Sequence, residues 1–228
     1  MTDITIEFSS SINDIDEIQS WCENWDSSYS TILQSFNNKE LIVAKFDNKV
    51  VSFYAYRKET IAVFISLVQT KQDFRKKGIA NKILQKLLTH FQNTNFKAFY
   101  LYCSPEESQN YWRKVGFEYF PENKEETLIY MYKTFGDVMQ IKNNCEKRPI
   151  NYIEFWNKEE IKKDENPKWF CELIFEENTN NLIKPILFFG KKNWYINIVK
   201  NNISNKLRFK DYERKNKFYE CIYITEIK

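Results

Sequence analysis

The chain of 228 residues is long enough for one large domain, or for a domain of average size and a smaller one. Its content of 43% hydrophobic and 17% aromatic residues is sufficient for a packed core, which excludes an intrinsically disordered protein. The net charge of +3, from 34 basic and 31 acidic residues, is too balanced to favour nucleic acid as a partner.

The cysteines and the N-terminus exclude further classes of protein. The five cysteines lie far apart without a CxxC pair, and His90 is the only histidine, which argues against a metal site and a disulfide framework. The segment MTDITIEFSS lacks the basic start and apolar run of a signal peptide, and no apolar run is long enough to span a membrane. We therefore expect a cytoplasmic protein without a membrane partner.

The residues up to position 135 alternate between strand and helix patterns. Period-two alternation and short apolar runs predict strands, and apolar residues three and four positions apart predict helices. The predicted elements are a strand at 4–8, helices at 9–25 and 29–36, a hairpin at 41–57, a strand at 61–70, a helix at 79–91, a strand at 96–103, a helix at 106–115 and a strand at 127–135. This order predicts a mixed α/β fold, with a central strand at 61–70 and parallel pairing around the 96–103 strand.

Beyond Phe135 the pattern changes to strands separated by turns rich in Asn and Lys. The predicted strands are 169–175, 182–189, 194–199 and 218–227, with one helical segment near 157–165. We place a domain boundary near residue 140, so that residues 1–140 form the first domain. Residues 141–228 then form a small, mildly basic, β-rich domain whose role the sequence does not indicate.

The stretch RKKGIA, residues 75–80, lies between a predicted strand and a predicted helix. Gly78 lets the backbone turn and approach a ligand without an intervening Cβ. The unpaired N–H groups and partial positive charge of a helix N-terminus attract anions, and the cations at 75–77 add charge at the same point. This arrangement suits a pyrophosphate. The alternative is a plain turn with a solvated basic surface.

Two motifs in this architecture resemble the GNAT superfamily of N-acetyltransferases. The family's pyrophosphate loop, Arg/Gln-x-x-Gly-x-Gly/Ala, is matched by Arg75, Gly78 and Ala80. Its later motif, a helix that ends in aromatic-x-Lys-x-Gly-Phe, is matched by Trp112, Lys114, Gly116 and Phe117. The resemblance covers residues 1 to about 136 and implies a GNAT-like acyltransferase fold with an appended β-rich domain.

The resemblance also implies an activity and a cofactor site. The protein would transfer an acetyl group from acetyl-CoA, its co-substrate, to a primary amine by direct attack. The backbone of Val68 and Thr70 would bind the pantetheine arm. The pyrophosphate would be held by the backbone amides of Arg75, Lys76, Lys77, Gly78, Ile79 and Ala80. Nothing in this scheme requires a metal.

The general acid is the point at which the sequence departs from the family. Relatives place a tyrosine at the position of Trp112, and an indole N–H is no practical proton source. Tyr111 is the adjacent hydroxyl, about 100° around the helix, and is the candidate acid. The alternatives are that Tyr111 is a core aromatic and that water protonates the thiolate.

The sequence also offers candidate residues for the general base and for the acceptor site. Glu59 is the candidate base, with Glu23, Asp26 or an ordered water as alternatives, and each carboxylate also fits an ordinary surface position. The aromatics that would line an amine pocket, or else belong to the core, are Trp21, Trp25 and Tyr29. Cys103 fits a buried small hydrophobe.

Two other functions stay open at this point. A scaffold that binds acyl-CoA without catalysis is favoured by Trp112, and an interaction protein is favoured by the basic β-rich tail. The identity of the amine acceptor and the existence of a homodimer also stay open.

Overall fold

The computed structural model describes residues 4–9, 11–121, 129–139, 141, 148–158, 166–212, 217–218 and 221–227. The chain divides into two compact units, the first made of Met1–Glu118 with Tyr130–Lys133 and the second of Tyr119–Ile129 with Thr134–Lys228. The domain boundary near residue 140, and with it the independent folding of residues 1–140, stays a prediction.

The first unit contains a mixed sheet with helices packed against it. Its elements are β1 (Thr5–Phe8), α1 (Ile12–Gln19), α2 (Trp25–Asn37), β2 (Leu41–Phe46), β3 (Lys49–Lys58), β4 (Ala62–Thr70), α3 (Ile79–Phe91), β5 (Ala98–Tyr102), α4 (Gln109–Lys114), β6 (Glu118–Tyr119) and β7 (Tyr130–Thr134), except that the last residues of β6 and β7 are assigned to the second unit. Among the described residues the strand order is β1-β2-β3-β4-β5-β7-β6. The predicted mixed α/β fold and the central position of the 61–70 strand are confirmed.

The β2–β3 hairpin shows how local sequence determines this sheet. Asp47 and Asn48 have φ angles of 47° and 60°, the left-handed conformation that a two-residue hairpin turn requires at both positions. Strands β2 and β3 pair antiparallel on either side of this turn, as predicted. β4 and β5 pair in parallel, as expected for strands joined by a helical crossover.

The predicted first helix was too long, since α1 ends at Gln19 and not near residue 25. The hydroxyl of Ser20 donates to the carbonyl of Glu17 at 2.7 Å, a local side-chain bond that competes with helix continuation. α2 begins at Trp25, four residues before the predicted start at Tyr29. The aromatic residues that led to the longer prediction for the first helix therefore lie in the turn after α1 and at the start of α2.

The helices of the first unit cover both faces of its sheet. α1 and α2 pack on the face of β3 that carries Ala55. α3 packs on the opposite face, where the ring centroids of Tyr56 and Phe91 are 5.7 Å apart. α4 lies on the same face as α3, because its Trp112 contacts Tyr54 edge-on, with centroids 6.2 Å apart.

The second unit is β-rich, in agreement with the change of pattern after residue 135. Its strands are β8 (Tyr152–Trp156), β9 (Trp169–Glu172), β10 (Asn181–Phe189), β11 (Tyr195–Lys200), β12 (Ile203–Arg208), β13 (Lys217–Phe218) and β14 (Cys221–Glu226). The described strands form the sheets β12-β11-β8-β9 and β10-β14-β13 around a shared apolar core. The sequence analysis missed β8 and β12, and the predicted helix near 157–165 lies, from residue 159 onward, outside the described residues.

Candidate functional site

β4 and β5 are paired at one end only. Their parallel pairing joins Ala62–Phe64 of β4 to Ala98–Tyr100 of β5. β4 continues to Thr70, and no further β4–β5 pair occurs in the part of the chain that the structure describes. After Phe64, the backbone N–H and C=O groups of β4 that point toward β5 therefore lie beyond the paired stretch of the two strands. They can bond a ligand placed between the two strands.

The RKKGIA stretch forms a turn that leads directly into α3. Gly78 is the N-cap residue, with φ +76° and ψ 6°, a left-handed conformation that glycine adopts at little cost. A Cβ built on Gly78 would meet no atom within 4 Å, so the space beside this residue is open. Glycine is therefore required here by the backbone conformation and not by packing against the protein.

The backbone amides of residues 76–80 in this turn have no hydrogen-bond acceptor among the described residues. No described side chain caps the helix. The first amides of a helix have no intrahelical partner, and the helix adds a partial positive charge at this end. The amide of Arg75, which was expected to belong to this set, instead donates to the carbonyl of Gln72 at 3.1 Å.

The Arg75 side chain is engaged by protein groups. Its Nε donates to the carbonyl of Thr70 at 2.9 Å, and its Nη2 lies 2.5 Å from the carboxylate of Glu23. The Gln69 side chain makes two further bonds to the backbone of Glu23, at 3.1 and 3.0 Å. Together these bonds tie the loop between α1 and α2 to the end of β4. Glu23, an alternative base, takes part in this exposed ion pair.

The hydroxyl of Tyr111 lies 3.0 Å from the hydroxyl of Tyr54. Tyr54 is a β3 residue, and its partner across the ladder is Val68 of β4. Tyr111 therefore lies on the α3 face, over the stretch of β4 that has parted from β5. Burial raises the pKa of the Tyr111 hydroxyl, while the hydrogen bond from Tyr54 lowers it.

Trp112 is a core residue, only 6% exposed. Its ring packs against Tyr54, and against Phe117 with centroids 5.0 Å apart. Tyr111 and Trp112 touch each other edge-on, at 4.9 Å. The indole fills volume between α4 and the sheet, and the neighbouring Tyr111 brings the hydroxyl.

The carboxylate of Glu59 lies at the paired end of β4 and β5. Its side chain is 3% exposed and accepts hydrogen bonds from Tyr100, at 2.6 Å, and from Arg57, at 2.7 and 3.0 Å. Burial raises the pKa of Glu59 more than these donors lower it. Val68 lies six positions after Ala62, or about 20 Å along β4. The structure therefore does not bring Glu59 close to the RKKGIA turn.

Aromatic rings line the sheet on the face opposite Tyr54. The ring of Phe64 lies 4.9 Å from Tyr100 and 6.0 Å from Tyr102, measured between centroids. Arg57 lies over Phe64, 5.1 Å from the ring centre. Tyr102 is 41% exposed, so this aromatic cluster has an accessible edge where β4 and β5 begin to diverge.

The candidate acceptor aromatics divide into two groups. Trp25 and Tyr29 contact each other on α2 with centroids 5.2 Å apart, and Tyr29 is 44% exposed. Trp21 packs against the core beneath α1, and its indole nitrogen is buried with no hydrogen-bond partner among the described residues. Cys103 is buried at the end of β5, and burial raises the pKa of its thiol.

Sequence reasoning missed two residues of this site. Tyr54 lies in an apolar strand, VVSFYAYR, where a tyrosine is indistinguishable from core. Gln69 lies among the last residues of β4. A polar side chain in this mostly apolar strand was the one sign in the sequence that Gln69 makes a specific contact. Their partners, Tyr111 and Glu23, are distant in sequence, so only the fold brings each pair together.

The described residues contain no group of three or more His, Cys, Asp or Glu side chains arranged to hold a metal ion. They also contain no helix that is both long enough and apolar enough to cross a membrane.

Residues 12–117 match the model of the Acetyltransferase (GNAT) family. No curated protein matches the sequence. Among solved structures, N-acetylglutamate synthase from Neisseria gonorrhoeae, complexed with coenzyme A and N-acetyl-glutamate, is 10% identical with a TM-score of 0.50. That match covers 60% of this chain and 36% of the other. At this identity the likeness shows the fold alone.

Two smaller solved structures match over nearly their full length. Ard1 from Thermoplasma volcanium is 17% identical, with a TM-score of 0.48, and the match covers 59% of this chain and 99% of that one. An acetyltransferase of the GNAT family from Bacillus cereus is 22% identical, with a TM-score of 0.47, and the match covers 58% of this chain and 98% of that one.

Proposed function

We propose that the protein is an N-acetyltransferase, because residues 12–117 match the model of the Acetyltransferase (GNAT) family. It transfers the acetyl group of acetyl-CoA to a primary amine by direct attack. The observation that carries this proposal is the turn at the start of α3. There the amides from Lys76 to Ala80 have no acceptor in the part of the chain that the structure describes, and the space beside Gly78 is open.

The cofactor is proposed to lie across the α3 face of the sheet. The amides of residues 76–80 hold the pyrophosphate at the positive end of α3. The pantetheine arm lies between the parted strands and bonds the backbone of β4 near Val68 and Thr70. The carbonyl of Thr70 already accepts a bond from Arg75, so Arg75 supports the cofactor site by fixing its backbone. The exposed Lys76 and Lys77 add charge around the phosphates.

The acceptor amine is proposed to approach from the opposite face. There the accessible edge of the Phe64–Tyr102 aromatic cluster lies where β4 and β5 diverge. Glu59 lies on this face and bonds Tyr100 of the same cluster. Burial raises the pKa of Glu59, which suits a general base. Because Glu59 lies at the paired end of β4 and β5, it is proposed to accept the proton of the amine through a water molecule.

The chemical step follows from these positions. The neutral amine nitrogen attacks the thioester carbon, and backbone amides of β4 stabilise the oxyanion that develops. The C–S bond then breaks, the thiolate leaves with the electron pair, and the hydroxyl of Tyr111 supplies its proton. The amine loses a proton through water to Glu59. The products are the N-acetyl amine and CoA.

A broad amine screen tests the proposal. We expect release of free CoA thiol above the background rate when acetyl-CoA is mixed with the protein and at least one of hydroxylamine, spermidine, an amino acid, an aminoglycoside or a peptide N-terminus. Binding of CoA with no turnover for any amine would instead support a scaffold, which the absence of the family's tyrosine at Trp112 favours. Absence of CoA binding would reject both.

Removal of the second unit tests the predicted boundary. Residues 1–140 include every element of the first unit and are expected to fold and to bind CoA with the affinity of the full chain. Circular dichroism and calorimetry provide the measurements. A folded fragment that has lost CoA affinity would show that residues 141–228 contribute to the cofactor site and that the boundary is wrong.

A further inference from the structure

We infer that Tyr54 is a positioning residue for the proposed acetyl transfer: its hydroxyl donates a hydrogen bond to Tyr111 and thereby directs the Tyr111 proton toward the leaving sulfur. This inference rests on the proposed function. The inference gives a role to the buried hydroxyl of Tyr54, a polar group that the packing of β3 does not require.

The direction of the hydrogen bond follows from burial. Tyr54 is fully buried, and the oxygen of Tyr111, 3.0 Å away, is the one acceptor that its hydroxyl contacts among the described residues. If Tyr111 donated to Tyr54, the hydrogen of Tyr54 would be left buried without an acceptor, which is costly. Tyr111 is only partly buried, so its own hydrogen can turn toward a ligand. The stable arrangement is therefore Tyr54 as donor and Tyr111 as acceptor.

The position of the pair matches the task. Tyr54 is opposite Val68, in the part of β4 that has separated from β5. The Trp112 ring contacts both tyrosine rings and restricts their movement. The two hydroxyls thus lie on the α3 face, over the backbone proposed to hold the pantetheine arm.

The proton balance explains why a second hydroxyl matters. When the C–S bond breaks, Tyr111 gives its proton to the thiolate and becomes a tyrosinate. The hydrogen bond from Tyr54 stabilises that negative oxygen, in agreement with its lowering effect on the pKa of Tyr111. Water restores the proton of Tyr111 after CoA thiol has left, so Tyr54 keeps its own proton throughout.

The test compares Tyr54→Phe with a matched control, Tyr56→Phe. Tyr56 is equally buried two residues along β3 and faces the same side of the sheet, but its hydroxyl donates to the carbonyl of Lys39 at 3.4 Å. With acetyl-CoA and hydroxylamine as probes, Tyr54→Phe is expected to lower kcat by about 10- to 100-fold, the effect of one hydrogen bond to a charged oxygen. The KM for acetyl-CoA is expected to stay unchanged, and Tyr56→Phe is expected to keep wild-type kcat.

Two further readouts separate positioning from a structural role. The double variant Tyr54→Phe/Tyr111→Phe is expected to be no slower than Tyr111→Phe alone, since Tyr54 acts only through Tyr111. In ¹³C-tyrosine NMR spectra of the full chain with CoA bound, Tyr54→Phe is expected to raise the pKa of Tyr111. The alkaline limb of the rate profile should move to higher pH with it.

The outcomes distinguish this inference from the proposed function. A wild-type protein that turns over, together with a Tyr54→Phe variant as fast as Tyr56→Phe, overturns the inference and leaves the acetyltransferase intact. Additive losses in the double variant, or an unchanged pKa of Tyr111, also overturn it. A folded wild-type protein that turns over no amine removes the proposed function and this inference with it.

Discussion

Tyr111→Phe is expected to lower turnover by about 10²- to 10⁴-fold, the usual contribution of a general acid, with CoA affinity unchanged. The variant removes a hydroxyl and keeps the ring that packs against Trp112. It also leaves the hydroxyl of Tyr54 without its acceptor, so some loss of stability accompanies the loss of rate. Turnover is measured by thiol release and affinity by calorimetry, on protein whose melting temperature is known.

Trp112→Phe provides the control for this experiment. The Trp112 ring fills volume in the core, so a smaller ring is expected to cost stability while most turnover remains. Trp112→Tyr restores the family's residue at this position and is expected to retain or raise turnover. If Trp112→Phe alone abolished turnover with fold and CoA binding intact, the acid would not be Tyr111. If no variant lost rate, water would be the proton source.

Gly78→Val is expected to weaken CoA binding by at least about tenfold. The φ of Gly78 is +76°, a region that costs an L-residue roughly 1–2 kcal/mol and a β-branched residue more. The turn would have to change its backbone angles, which would move the amides of the neighbouring residues away from their common direction. The added branch would also occupy the open space beside the turn, where the pyrophosphate is proposed to lie.

Lys76→Ala is the matched control for Gly78→Val. Lys76 is exposed in the same turn, and the loss of one exposed charge is expected to weaken binding by much less than the glycine substitution. Gly78→Ala should fall between the two, because it adds the strain of a Cβ without a branch. Equal effects of Gly78→Val and Lys76→Ala on CoA affinity would show that side-chain charge, and not the backbone, holds the phosphates.

Features encoded over a few adjacent residues could be predicted from the sequence. The turn at Asp47 and Asn48 fixes the β2–β3 hairpin by its backbone angles alone. The glycine and the helix pattern of RKKGIA fix the turn at the start of α3 in the same way. The apolar character of residues 61–70 was enough to place β4 in the middle of the sheet.

Features that depend on contacts between distant residues could not be predicted. The role of Arg75 was assigned to phosphate, but its partners include Glu23, 52 residues earlier in the chain. The contact of Tyr111 with Tyr54 spans 57 residues and requires the crossing of α4 over β3. β12 escaped notice because its residues are mostly exposed and polar, so the strand lacks the apolar alternation by which strands are recognised.

Calorimetric titration of the full chain with CoA and with pantetheine tests the central claim most directly. Pantetheine carries the arm proposed to lie between β4 and β5 but lacks the pyrophosphate proposed to bind the amides of residues 76–80. The account predicts one CoA site with a Kd in the micromolar range, about −8 kcal/mol, and binding of pantetheine weaker by at least about 100-fold. Absence of heat and of a thermal shift at millimolar CoA, or equal affinities for the two ligands, would contradict it.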